Sequence, residues 1–304
     1  MLKIKFYEVK DKEKENLCKN FVISKEKSIF KVNIDGEIPF NFYYTSLINE
    51  FQKNLDEILK GTYKKANVFI YVKERFLKAK DHLISFFYSP EKIFYSECYS
   101  INIFLAKDFD EFCSIGRTTK MNLPSNAKGR VSSTTLIYLQ TFLLDNAKRN
   151  VHSKESILGD AHELLHIFFH KYNLKKNGKL NSLPLLFNEG LTVICANQIS
   201  KDFNEELITA KELFLERINV FDYDKRNITK NRYYQSAGKF MDYLLKKISE
   251  KENISYKEAF QKMFNTIGNK DNFDDKNEFN AKNFFIKVFD LNIENEYIYF
   301  KNIK

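Results

Sequence analysis

The sequence predicts an α+β protein with strands concentrated in its first half and helices in its second. Three observations carry that expectation. Short runs rich in Phe, Tyr, Val and Ile recur before residue 140 and read as strands. From about residue 153 to the end, apolar residues repeat with helical spacing almost without interruption. No internal repeat and no Pro/Gly-rich hinge divides the 304 residues. A strand-rich part with a small mixed sheet, followed by a mainly helical part, is therefore the simplest organisation.

The elements follow in order. Residues 28–45, SIFKVNIDGEIPFNFYYT, hold two β-prone runs either side of Asp35-Gly36, which predicts a hairpin. In residues 46–61 the apolar positions Leu47, Ile48, Phe51, Leu55, Ile58 and Leu59 keep helical spacing, and Gly61 is a natural stop. The run ANVFIYV, Ala66–Val72, reads as a strand and residues 75–86 as a helix. A strand in YSINIFLA precedes a short helix in DFDEFCSI, and a further strand, Val131–Leu139, lies within RVSSTTLIYL.

Composition narrows the function. Hydrophobic residues make up 43% and charged ones 29%, enough to bury a core in water. The net charge of +9 is spread through mixed-sign stretches such as YEVKDKEKEN, so no nucleic-acid partner is expected. No run reaches the roughly 18 apolar residues of a membrane span, and the N-terminus lacks a signal-peptide core. Four widely spaced cysteines fit reduced thiols in a cytoplasmic protein. Nine glycines leave no phosphate-binding loop, dinucleotide fingerprint or nucleophile elbow.

One stretch carries chemistry. Residues 160–170 read DAHELLHIFFH, within a helix expected from about Ser153 to His170. Side chains four apart share a helix face, so His162 and His166 can aim ring nitrogens at one ion. Glu163 sits about 100° around the helix, where its carboxylate can reach a water without being a ligand. His170 is two turns from His162, about 12 Å along the axis, and cannot share that ion. Catalytic zinc requires a third protein ligand. Glu189, separated from His166 by 22 residues and lying in LPLLFNEGLTVICANQI, is a candidate in the first turn of a helix expected over Asn188–Ile199. A first-turn Glu also favours a helix N-terminus through the dipole alone.

HELLH followed at this distance by NEGLT resembles the gluzincin metallopeptidases, which share the peptidase MA architecture of thermolysin and aminopeptidase N. The resemblance implies a zincin-like core, one Zn2+ per chain on His162, His166 and Glu189, and Glu163 as general base. NRYYQSAGKFMDYLL resembles the Y-x-K-G-A helix of the aminopeptidase N branch, which implies Tyr233, or Tyr234 beside it, as donor to the oxyanion. GRVSSTTLIYL aligns with that branch's substrate-binding edge strand, implying that Gly129, Ser132 and Ser133 line the substrate. The likeness covers about residues 100–247.

Two departures stand out. Ser132 and Ser133 replace the Glu and Asn of the branch's G-A-M-E-N motif, which favours an endopeptidase over an aminopeptidase. Val193 stands where thermolysin-like sequences place an aspartate to orient a ligand histidine, leaving that task to Thr192 or a backbone carbonyl. The expected organisation is a strand-rich segment at 1–44, a catalytic domain at 45–250 and a helical segment at 251–304. The expected partner is a peptide or protein substrate. The competing expectation is a zinc-stabilised binding or regulatory protein that cleaves nothing.

Overall fold

The computed structural model describes residues 4–20, 28–34, 40–45, 68–87, 101–106, 109–116, 129–131, 137–141, 154–169, 183–215, 230–274 and 279–303. Six strands, β1 (Ile4–Glu8), β2 (Ile29–Ile34), β3 (Phe40–Thr45), β4 (Ile101–Ala106), β5 (Gly129–Val131) and β6 (Ile137–Thr141), form one mixed sheet in the order β1-β2-β3-β4-β6-β5. The β1-β2, β2-β3 and β5-β6 pairs are antiparallel, while β3-β4 and β4-β6 are parallel. The helices are α1 (Asp11–Asn20), α2 (Val68–Ile84), α3 (Phe109–Gly116), α4 (Lys154–Phe168), α5 (Leu185–Cys195), α6 (Lys230–Glu252), α7 (Tyr256–Ile267), α8 (Ala281–Phe289) and α9 (Ile293–Asn302). The fold is α+β, with a mainly helical C-terminal part.

The chain divides into two units, residues 1–80 with 94–163 and residues 81–93 with 164–304, the boundaries falling inside α2 and α4. In the first unit the sheet is covered on both faces. Phe40 packs edge-on against Phe76 of α2, and Phe42 and Tyr44 flank Phe69. On the other face Leu17 of α1 and Phe112 and Ile115 of α3 close over Ile29, Tyr43, Phe104 and Ala106. Coverage of both faces is why β4 is apolar without alternation from Ile103 to Ala106.

The second unit is helical. Phe187 of α5 sits among Phe279, Phe284 and Phe285, and Phe240 of α6 packs on Tyr297 and Phe300 of α9. A capping box starts α7: Ser255 Oγ accepts from the Glu258 N–H while the Glu258 carboxylate accepts from the Ser255 N–H.

The two runs of the expected hairpin pair antiparallel as β2 and β3, while Asp35-Gly36 lies outside the described residues. Three expectations need correction. ANVFIYV is not a strand: from Val68 it forms the first turns of α2. Buried Phe69, Val72, Phe76, Ala79 and Leu83 recur at three- and four-residue steps, so the apolar run continues a helical stripe. The single strand at Val131–Leu139 is instead two, β5 and β6, paired with each other. The helix expected at Asn188–Ile199 begins at Leu185, where Pro184 supplies the N-cap, and ends at Cys195. A proline tolerates this place because the first helical N–H groups have no intrahelical partner to lose. The helix expected over residues 46–61, together with Ser132, Ser133 and His170, lies outside the described residues. Among the described residues no helix is long and apolar enough to cross a membrane.

Candidate metal centre

From Asp160 onward, helix α4 is buried nearly all round. Asp160, Ala161, His162, Leu164, Leu165, Ile167 and Phe168 are buried, while Glu163 and His166 are partly open. Such a helix forms because its apolar residues leave no face that gains by remaining in water. His162 and His166 therefore project from the same side of a firmly packed element.

Helix α5 supplies the third member. Its first turn is closed by Pro184, whose carbonyl accepts from the N–H groups of Phe187 and Asn188, each at 3.1 Å. Glu189 is consequently the fifth helical residue and lies beyond the first turn. The N-terminal dipole does not account for it, because that effect fades within one turn. Its side chain is buried, and a lone buried carboxylate is costly, so partners must meet it.

Those partners divide its two oxygens. Asn188 Nδ2 donates to Glu189 Oε1 at 3.1 Å. Glu189 Oε2 stands 3.6 Å from His166 Nε2. His162, His166 and Glu189 each offer a ligand atom, and these atoms all lie within 4.8 Å of one another. Among the described residues no other His, Cys, Asp or Glu group gathers this way.

Set against protein-family models, curated proteins and solved structures, the chain matches none. What the centre can hold follows from its donors. Two neutral imidazoles and one carboxylate suit Zn2+ or a neighbouring first-row ion, and suit Ca2+ or Mg2+ poorly. Two bonds of about 2.0–2.2 Å at a tetrahedral angle separate ligand atoms by about 3.3 Å. The His166–Glu189 spacing is close to that already. Three protein ligands leave a tetrahedral ion one open position, the arrangement of catalytic rather than structural sites.

The other expected residues are placed as follows. Glu163 follows His162 on α4, half-buried and outside the three-ligand group. Tyr233 is fully buried near the start of α6, and Tyr234 beside it is half-buried. Their helix neighbours grip the chain beyond α5. Gln235 accepts from the Ser200 N–H and donates to the Gln198 carbonyl, Ser236 accepts from the Ile208 N–H, and Arg232 Nε donates to the Glu206 carbonyl. Gly129 opens β5. Thr192 donates its hydroxyl to the carbonyl of Glu189 at 2.8 Å, a bond within its own helix.

Two residues escaped the sequence reading. Asn188 stands in the quoted NEG triplet and donates to the Glu189 carboxylate, a contact that adjacency alone does not reveal. Asp160 opens the quoted DAHELLH stretch and accepts a two-pronged bond from Arg75, through Nε and Nη2. Both partners of that pair are buried. Asp160 was visible in the sequence, but Arg75 lies 85 residues away on α2. Cys195 ends α5, and burial pushes its thiol up, so it stays protonated and unreactive near neutral pH.

Proposed function

We propose that this chain is a zinc-dependent metallopeptidase with a zincin-like core, cutting peptide bonds inside a polypeptide. The observation that carries this reading is the convergence of His162, His166 and Glu189 from two buried helices onto one point. His162, His166 and Glu189 hold the ion. When bound, zinc supplies a Lewis acid and lowers the pKa of a coordinated water towards neutrality.

The chain's own residues do the rest. Glu163, carried on the rigid helix one position after a ligand, accepts a proton on its carboxylate from the attacking water. It then delivers that proton to the leaving amine nitrogen. Tyr233 donates its hydroxyl hydrogen to the oxygen of the tetrahedral intermediate, with Tyr234 as the neighbouring candidate. A purely structural zinc site needs neither a proton carrier nor an open position, and the half-exposure of Glu163 favours the catalytic reading over it.

Ser132 replaces the carboxylate that would anchor a free α-ammonium, which supports internal cleavage. Cys18 and Cys195 are free thiols, in keeping with work in a reducing cytoplasm. The test is metal analysis of the purified protein together with turnover of a quenched peptide blocked at both ends. Stoichiometric zinc and chelator-sensitive cleavage are expected, and a metal-free protein that folds normally overturns the reading.

A further inference from the structure

We infer that Gly190 and Gly238 are positioning residues for the metal centre: they bring α5 and α6 into backbone-level contact and thereby set where Glu189 stands. This rests on the reading of Glu189 as a metal ligand. The two glycines work reciprocally. A Cβ on Gly190 of α5 would lie 2.9 Å from the backbone oxygen of Ala237 and 3.0 Å from Met241 Cβ, both on α6. A Cβ on Gly238 of α6 would lie 2.4 Å from Val193 Cγ1, 3.2 Å from Val193 Cβ and 3.4 Å from Ile199 Cγ1. These separations fall below ordinary carbon contact, about 3.5–4.0 Å, so neither position accepts a side chain while the helices keep their places.

Neither glycine is there for its conformational freedom, since both lie inside regular helices. A glycine in a helix interior is less favourable than an alanine, and here close approach offsets that. Gly159 of α4 is the internal contrast: a Cβ there would meet nothing within 4 Å.

The consequence reaches the ion through the covalent chain. Glu189 directly precedes Gly190 and is buried, so it cannot swing outward to compensate for a shifted helix. Helix α5 forced away from α6 carries the carboxylate with it and changes its 3.6 Å relation to His166. Ligand constellations tolerate about 0.5 Å of misplacement, less than the roughly 1 Å needed to widen a 2.4 Å separation to ordinary contact.

Cobalt(II) reports both affinity and ligand geometry, through competition with a chelator and through its d–d absorption spectrum. Gly238→Ala is expected to weaken cobalt binding by about 10–100-fold and to alter the spectrum, the usual effect of disturbing a ligand's support. Val193→Ala removes the atom at 2.4 Å and leaves Val193 Cβ at 3.2 Å, so the double variant Val193→Ala/Gly238→Ala should recover affinity and spectrum. Gly159→Ala should bind as the parent does. Wild-type affinity and spectrum in Gly238→Ala overturn the inference, as does a folded double variant no better than Gly238→Ala. Should Gly238→Ala fail to fold, Val193→Ile crowds the same contact from α5, and unchanged cobalt binding there overturns it equally. A parent protein that folds yet binds no cobalt overturns the metal reading itself, and this role with it.

Discussion

Glu189 Oε2 stands 3.6 Å from His166 Nε2, although 22 residues separate them in the chain and they belong to different helices. The spacing is longer than a hydrogen bond and close to that of two atoms sharing one small ion. With Asn188 bonded to the other oxygen, the carboxylate presents Oε2 to the imidazole.

Replacing Glu189 by alanine should sharply lower zinc content in the purified protein, because two histidines alone make a weak site. Asn188→Ala should be milder, about 10–100-fold in affinity, since it frees the carboxylate without removing it. Elemental analysis and chelator competition measure both. Full stoichiometric zinc in Glu189→Ala means the ligand assignment is wrong.

Roles separate from binding at Glu163. Glu163→Gln should keep the metal and the fold and lose nearly all hydrolysis, since an amide cannot accept the water's proton. Tyr233→Phe should also keep the metal and lose about 10²–10³ in turnover, the cost of one oxyanion donor. If Tyr234→Phe shows that loss and Tyr233→Phe none, the donor is the neighbouring residue.

The mode of cleavage is read with two substrates. A quenched peptide blocked at both ends should be cut, and a free aminoacyl reporter should not. A buried α-ammonium needs a carboxylate to meet it, and Ser132 offers only a neutral hydroxyl. Turnover of the reporter without cleavage of the blocked peptide would reverse the assignment to an aminopeptidase.

The buried Arg75–Asp160 pair makes a stability prediction. Asp160→Leu alone removes the carboxylate that two guanidinium nitrogens of the buried Arg75 meet and should cost about 3–5 kcal/mol in urea unfolding. Pairing it with Arg75→Met should recover most of that, because an apolar pair of similar volume leaves no charge uncompensated. A double variant as unstable as Asp160→Leu would show that the pair does more than neutralise itself.

By itself the sequence determined what depends on near neighbours. His162 and His166 share a face because a helix repeats every 3.6 residues, and Glu163 takes its angle from the same geometry. The β2-β3 pair was legible because two short β-prone runs flanking Asp35-Gly36 are close in sequence. Tertiary structure decided what depends on distant partners. ANVFIYV has an apolar run compatible with either strand or helix, and packing of Phe69 and Phe76 on the sheet settles it as helix. Arg75 finds Asp160, Glu189 finds His166, and Gly190 and Gly238 find flesh of the opposite helix only once the intervening chain has folded back. Local periodicity carries no record of such meetings, because which surfaces come together is set by how whole helices bury their apolar faces against one another.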